Sequence, residues 1–338
     1  MSIVIGKLTV KNPVFLAPMS GVTDEAFRLA AHQTGAGLVV SEMVASEELV
    51  RERRDMMRRA RGGHKLSPFV MQLAGREAHW MAEGARVAQD LGADIIDINM
   101  GCPARQVTGG LSGSALMRNL DHAITLVEAT VGAARVPVTL KMRLGWDERS
   151  LNAPELAKRA EAAGVAMITV HGRTRCQFYT GKADWAAIRA VRDQIKIPLV
   201  ANGDCASAAD AKAMMQASGA DAVMIGRGAY GRPWWPAVVA EQLNAGSGCV
   251  EPTLAQELVI LLQQHEETLR LYGAALGNKT FRKHLGWVIG RLRERELISV
   301  EQLMAARANL LGQTDNDNVR RGLREIYGAA SDVVELAA

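Results

Sequence analysis

Short, continuous apolar runs rich in β-branched residues recur through the first two thirds of the chain. They are VFLAPM (14–19), LVVSEMV (38–44), PFVMQLAG (68–75), IIDINMG (95–101), PVTLKMR (137–143), MITVHGR (167–173), PLVANGD (198–204) and AVMIGRG (222–228). Continuity rather than alternation is the pattern of parallel strands covered on both faces. Between the runs lie stretches of helical period. TDEAFRLAAHQTG places Thr23 as N-cap and Gly35 as stop, and AADAKAMMQASGAD ends at Gly219 before the next run. Run starts are 24 to 42 residues apart. That spacing predicts βα units, and eight of them predict an α/β fold, a closed (β/α)8 TIM barrel. An open doubly wound sheet is the alternative, though it usually has fewer strands.

Beyond Ile225 the alternation stops. GRPWWPAVVAEQLNAGSGCVEPT reads as a helix and a linker, and helical patterns then follow over 254–273, 278–295, 300–312 and 317–330. The chain is thus expected to divide into a barrel over 1–243 and an all-α helical bundle domain over 250–330.

At 338 residues, 48% hydrophobic and 22% charged, the chain is not a disordered segment. No apolar run approaches the roughly 18–20 residues of a membrane helix, and MSIVIGKLTVKNP lacks the basic and apolar regions of a secretory signal. Cys102, Cys176, Cys205 and Cys249 form no CxxC pair, which argues against a zinc site or disulfide framework. The expectation is a cytoplasmic protein with no metal and no membrane partner. Net charge is only +4, but it is unevenly spread. Residues 51–65 carry seven Lys/Arg against two acids, and residues 279–295 carry six against one. Solvated helix faces explain one such cluster; two beside one site point to a polyanion.

Polar residues gather at the C-terminal ends of the runs: Pro18-Met19-Ser20, Glu42, Gln72, Asn99 to Cys102, Lys141 and Arg143, His171, Asn202-Gly203-Asp204 and Gly226-Arg227-Gly228. Barrel enzymes place their chemistry on that face. GRGAYG (226–231) matches a dinucleotide fingerprint but follows the last strand instead of the first. With NGD (202–204) it reads better as a phosphate site, where backbone amides and Arg227 meet one phosphate. Gln72, Asn99 and Lys141 suit a flat hydrogen-bonding ring, so flavin mononucleotide (FMN) fits; a sugar phosphate and a Schiff-base role for Lys141 are the alternatives. Cys102 sits in a Gly-rich loop at this face, and an ordinary thiol there is protonated at neutral pH and able to act as an acid.

APMSGVTD, QLAG, DINMGCPARQV…GSALM, KMRLGW, VHGRT, ANGD and IGRG, in this order, resemble the tRNA-dihydrouridine synthase family, and within it the bacterial B-type branch. The resemblance runs from about residue 4 to 240, and RKHLGW in the tail is similar too; Arg105-Gln106 stands where members often carry two lysines. It implies an FMN enzyme that reduces the C5–C6 bond of D-loop uridine in tRNA with NADPH. Carried over by position, Pro18, Met19 and Ser20 would line the flavin, Gln72 and Lys141 would bond its ring, and His171 would lie beside it. Asn202, Gly203, Asp204, Gly226 and Arg227 would hold the phosphate, and Asn99, Arg143 and Tyr179 would face the uracil. Hydride would pass from reduced flavin to C6 while Cys102 protonates C5. A tRNA uridine must be splayed out to reach a barrel mouth, at a few kcal/mol. Lys279, Arg282, Lys283, Arg291 and Arg293 are the expected phosphate contacts of a monomer. The rivals are a reductase of free pyrimidines and an RNA-binding protein that keeps the barrel as scaffold.

Overall fold

The computed structural model describes residues 2–62, 65–245 and 251–337; Cys249, His64 and the linker residues 246–250 lie outside the described residues. The strands are β1 (Ile3–Ile5), β2 (Leu8–Val10), β3 (Val14–Leu16), β4 (Leu38–Val39), β5 (Val44–Ala45), β6 (Val70–Ala74), β7 (Ile95–Met100), β8 (Val138–Arg143), β9 (Met167–His171), β10 (Leu199–Asn202) and β11 (Ala222–Ile225). Each of the eight apolar runs contributes at least one strand. All but β1 and β2 join one nine-stranded sheet in the order β4-β3-β11-β10-β9-β8-β7-β6-β5, and every pairing in it is parallel.

The two ends of this curled sheet, β4 and β5, come from one run of sequence. Between them the ladder is interrupted. The Gln72 amide donates to the Ser41 hydroxyl at 2.9 Å instead of to a backbone carbonyl, and that hydroxyl donates to the Glu42 carbonyl at 2.8 Å. A single parallel bridge, Val40–Val70, spans the gap. The expected full closure is therefore met only in part: regular pairing stays open where a buried side chain replaces the main chain.

Helix boundaries follow local chemistry. Asp24, not Thr23, caps helix Glu25–Gln33, accepting from the Phe27 amide at 3.0 Å. The Thr23 hydroxyl is used one turn earlier, accepting from the Met19 amide at 2.8 Å and so folding the loop after β3. Helix Ala208–Ser218 ends at Gly219 in the left-handed conformation, as its sequence predicts.

One element escaped the pattern. β1 and β2 form an antiparallel hairpin whose Ile3, Ile5 and Val10 are buried against Phe15, Val70, Ile95, Met167 and Ala222, at or near the first residues of the parallel strands. The hairpin thus plugs the end opposite the polar strand ends, each buried aliphatic contributing roughly 1.5–3 kcal/mol.

The tail forms helices Leu254–Tyr272, Ala274–Glu294, Val300–Leu310 and Asn316–Ala337, the first and third opened by Thr253/Gln256 and Ser299/Gln302 capping boxes. Phe281, Leu285, Val319 and Leu323 make a bundle core of their own. The bundle also docks on the barrel through packing of Leu254–Tyr272 against Glu25–Gln33.

Candidate active site

Inside a parallel sheet with both faces covered, alternate side chains of each strand point to the interior. Polar residues there must find partners or forfeit their solvation. Asp97, buried in the middle of β7, accepts from Gln72 Nε2 at 2.7 Å and from the Thr139 hydroxyl at 2.6 Å. Gln72 Oε1 then accepts from Asn99 Nδ2 at 2.6 Å, and Asn99 Oδ1 accepts the Cys102 amide at 3.0 Å. This chain fixes the amide orientation of Gln72 and Asn99 and seats the backbone of Cys102. Burial pushes the Asp97 carboxyl above its ordinary range, an effect opposed by its hydrogen bonds from Gln72 and Thr139.

The strand ends open on a cavity of about 960 Å³, within the size range that takes a cofactor. Pro18, Met19, Ser20, Gln72, Asn99, Cys102, Lys141, Arg143, His171, Tyr179, Asn202, Gly203, Asp204, Gly226 and Arg227 all line it. Lys141 Nζ donates to Asn202 Oδ1 at 2.9 Å, and Asn202 Nδ2 to the Met224 carbonyl at 2.8 Å. Burial lowers the Lys141 ammonium to about 8, so it remains largely charged at neutral pH. The Arg143 guanidinium is tied to the carbonyls of Gly101 (2.9 Å), Thr174 (2.7 Å) and Phe178 (2.8 Å), and burial lowers it to about 10. His171 lies well below its ordinary range, from burial and then from Arg143, Lys141, Arg173 and Arg227; its imidazole is neutral.

The Cys102 loop is more firmly held than its glycines predict. The Cys102 carbonyl accepts from the Ser114 amide at 3.1 Å and hydroxyl at 2.8 Å, and a Cβ on Gly113 would stand 2.9 Å from that carbonyl oxygen. Burial pushes the thiol above its ordinary value, while Arg143 and Lys141 pull the other way.

On the other side, Gly203 (φ +122) turns the chain so tightly that a Cβ would lie 2.7 Å from Ala183 Cβ and 2.8 Å from His171 Cδ2. Beside it, Asp204 bridges two cations, Arg173 Nη1 at 3.0 Å and Arg227 Nη2 at 2.9 Å. Its partial burial raises the carboxyl, but the bonds from Arg173 and the Ala183 amide win and hold it below the ordinary range. Among the described residues, the amides of Gly203, Asp204 and Gly226 donate to no protein acceptor, and no cluster of His, Cys, Asp or Glu suits a metal ion.

Arg173 and Asp97 went unselected from the sequence. Each sits two residues from a chosen side chain on the same strand or its end, and that period of two was the available signal. The bundle also reaches the site. Trp287 stacks on Tyr230 of the cavity wall at 3.9 Å, an approach possible because Gly231 (φ +68) has no side chain. Lys283 donates to the Gly21 carbonyl. Of the other basic residues, Lys279 is exposed, Arg282 is half-buried, Arg291 lies 6.0 Å from the Trp234 ring centroid, and Arg293 donates to the Ile298 carbonyl at 3.2 Å. None of the five lines the cavity.

Fold and site together define a parallel α/β enzyme with polar chemistry at the C-terminal strand ends and a helical bundle at its rim. The fold resembles histamine dehydrogenase from Rhizobium sp. 4-9 (TM-score 0.53, 14% identity, 78% of this chain and 50% of that one). It also resembles the old yellow enzyme homologue of Zymomonas mobilis (TM-score 0.50, 16% identity, 76% and 95%). A family model described as dihydrouridine synthase (Dus) matches residues 15–317. A probable tRNA-dihydrouridine synthase of Rhizobium leguminosarum bv. phaseoli is 57% identical over 84% of this chain and 87% of its own. Proteins named tRNA-dihydrouridine synthase B from Xanthomonas campestris pv. campestris and Pseudomonas putida are 45% and 42% identical, each over 84% of this chain and 85% of theirs. The chain belongs to the dihydrouridine synthase family, and is an oxidoreductase with clear kinship to the bacterial B-type members.

Proposed function

We propose that this protein reduces the C5–C6 double bond of D-loop uridine in tRNA, with FMN as resident cofactor, NADPH as electron source and Cys102 as proton donor. The observation that carries the reading is the half-buried Cys102 thiol on the same cavity as unpaired loop amides and a chain of oriented side-chain amides; its partial burial favours the protonated form. The residues present fit FMN. Gly203, Asp204 and Gly226 offer amides without protein acceptors, Arg227 adds a charge, and Gly203 makes the turn that presents them where a Cβ would clash with Ala183 and His171. Pro18, Met19, Ser20, Gln72, Lys141 and His171 would hold the ring, with Asn202 positioning Lys141.

When bound, FMN supplies the hydride that goes to uridine C6. Cys102 Sγ gives its proton to C5 and is left as a thiolate, whose charge Arg143 and Lys141 stabilise. Neutral His171 adds no competing proton source at pH 7. Asn99, Arg143 and Tyr179 would orient the uracil. The catalytic domain is taken as 1–243, with 38–45 as one interrupted strand of a (β/α)8 barrel. Residues 250–330 form the tRNA-binding domain of a monomeric cytoplasmic enzyme. Lys279 and Arg282 can meet phosphates as they stand, whereas Lys283, Arg291 and Arg293 would do so by exchanging their present contacts. No helix among the described residues is long and apolar enough to cross a membrane.

Separating the two half-reactions tests this. Cys102→Ala should retain flavin and NADPH oxidation but lose most dihydrouridine formation. Full product yield from that variant would refute the proton-donor role.

A further inference from the structure

Beyond the cavity edge, four side chains from three strand ends form a stacked row. Arg118 closes the 3-10 turn Gly113–Arg118 after the Cys102 loop, Trp146 follows β8, and Arg175 and Phe178 follow β9. The Arg118 and Arg175 guanidinium carbons lie 4.9 and 4.7 Å from the Trp146 ring centroid, and Arg175 lies 4.5 Å from that of Phe178. Phe178 lines the cavity, so the row begins at its mouth and leads outward to exposed Arg118. Two guanidinium groups share one indole, yet among the described residues neither forms an ion pair. Arg175 Nη2 donates only to the Thr108 hydroxyl, at 3.2 Å, and its Nε is buried without a partner. Like charges gathered without a carboxylate are relieved by an anion, and alternating aromatic faces and guanidinium planes suit nucleobases between phosphates.

We propose that Arg118, Trp146 and Arg175 form a barrel-side track for the single-stranded RNA flanking the reacting uridine, separate from the bundle. The track rests on the tRNA reading above and gives that substrate a second contact. One nucleobase stacks on the exposed guanidinium plane of Arg118, which Trp146 supports from beneath, and the adjoining phosphates pair with Arg118 and Arg175. Arg175, bonded to Thr108, links this grip to the loop that carries Cys102.

The test is tRNA binding by the full-length holoprotein across a salt series, using unmodified tRNA. Arg118→Gln should weaken binding severalfold and reduce the slope of log K against log salt by about one. Trp146→Leu should weaken it about tenfold, and Trp146→Phe, which keeps a ring, should recover most of that. Arg86→Gln, on helix Ala78–Asp90, is the charge control and should change nothing. Thermal melts establish that each variant is folded. Unchanged affinity and slope in folded Arg118→Gln and Trp146→Leu, with wild-type binding and uridine reduction intact, would overturn the track alone. Loss confined to the KM for NADPH would also overturn it. Wild-type protein that neither binds nor reduces tRNA would overturn the functional reading beneath it.

Discussion

Replacing Arg173 with Met removes the connection between two loops of the site. Its guanidinium is 1% exposed and bonds Asp204, 28% exposed, as well as the carbonyls of Thr180 (3.1 Å) and Gly181 (2.6 Å). Breaking a fully buried ion pair by deleting one partner costs about 3–5 kcal/mol. Here Asp204 is partly solvated and keeps Arg227 at 2.9 Å, so roughly 1–2 kcal/mol is the appropriate share. Two lost charge-assisted bonds to carbonyls add about 1 kcal/mol each after rehydration of their acceptors. The sum, about 3–4 kcal/mol, corresponds to a fall in Tm of roughly 4–6 °C for a chain of this length. The loop carrying Tyr179 should also come loose, which limited trypsin digestion reads at the exposed Lys182. Arg173→Lys should recover less than half the loss, because an ammonium cannot span Asp204 and both carbonyls. A Tm within about 2 °C of wild type, with Lys182 still protected, would refute the reasoning.

Further expectations concern titration. Lys141 loses its proton at about 8, so FMN affinity, read by flavin fluorescence, should fall as pH rises through that value. In Lys141→Met the affinity should be lower and flat with pH; a surviving limb near pH 8 would assign it elsewhere. Burial raises the Asp24 carboxyl to about 6, whereas an unfolded Asp titrates near 3.9. The native state is therefore penalised above pH 6, and the penalty disappears below about pH 4. Asp24→Asn keeps an acceptor for the Phe27 amide and should stabilise the protein by about 2–3 kcal/mol at pH 8 but not at pH 4. Equal denaturation midpoints for the two proteins at pH 8 would contradict it.

How much of this was legible in the sequence depends on the range of the interactions. The apolar runs of β3 and β6 to β11 announce themselves because burial on both faces leaves little room for polar residues. The bundle helices are legible because their apolar pattern is local and periodic. The β1–β2 hairpin is not, since three-residue strands carry almost no period and its value lies in plugging a distant end. Full barrel closure was overstated because the Ser41 hydroxyl, 31 residues from Gln72, takes the place of a ladder bond. The cavity residues were found by their shared place at strand ends, except Tyr179, which lies eight residues beyond β9 and was expected only from the family resemblance. Asp97 and Arg173 were passed over because their partners lie 25, 42 and 31 residues away: Gln72, Thr139 and Asp204. The basic helix shows the opposite failing. Charge is visible in sequence, but the half-burial of Arg291 near Trp234 and the turn of Lys283 towards Gly21 are not.

The most direct measurement is to incubate the purified protein with NADPH and tRNA lacking dihydrouridine, then map by mass spectrometry every uridine that gains two hydrogens, with free uracil and uridine alongside. The proposed function predicts the gain at one or a few D-loop uridines and none on the free base. No gain in tRNA despite bound FMN and active NADPH oxidation, or reduction of free uracil instead, would contradict it.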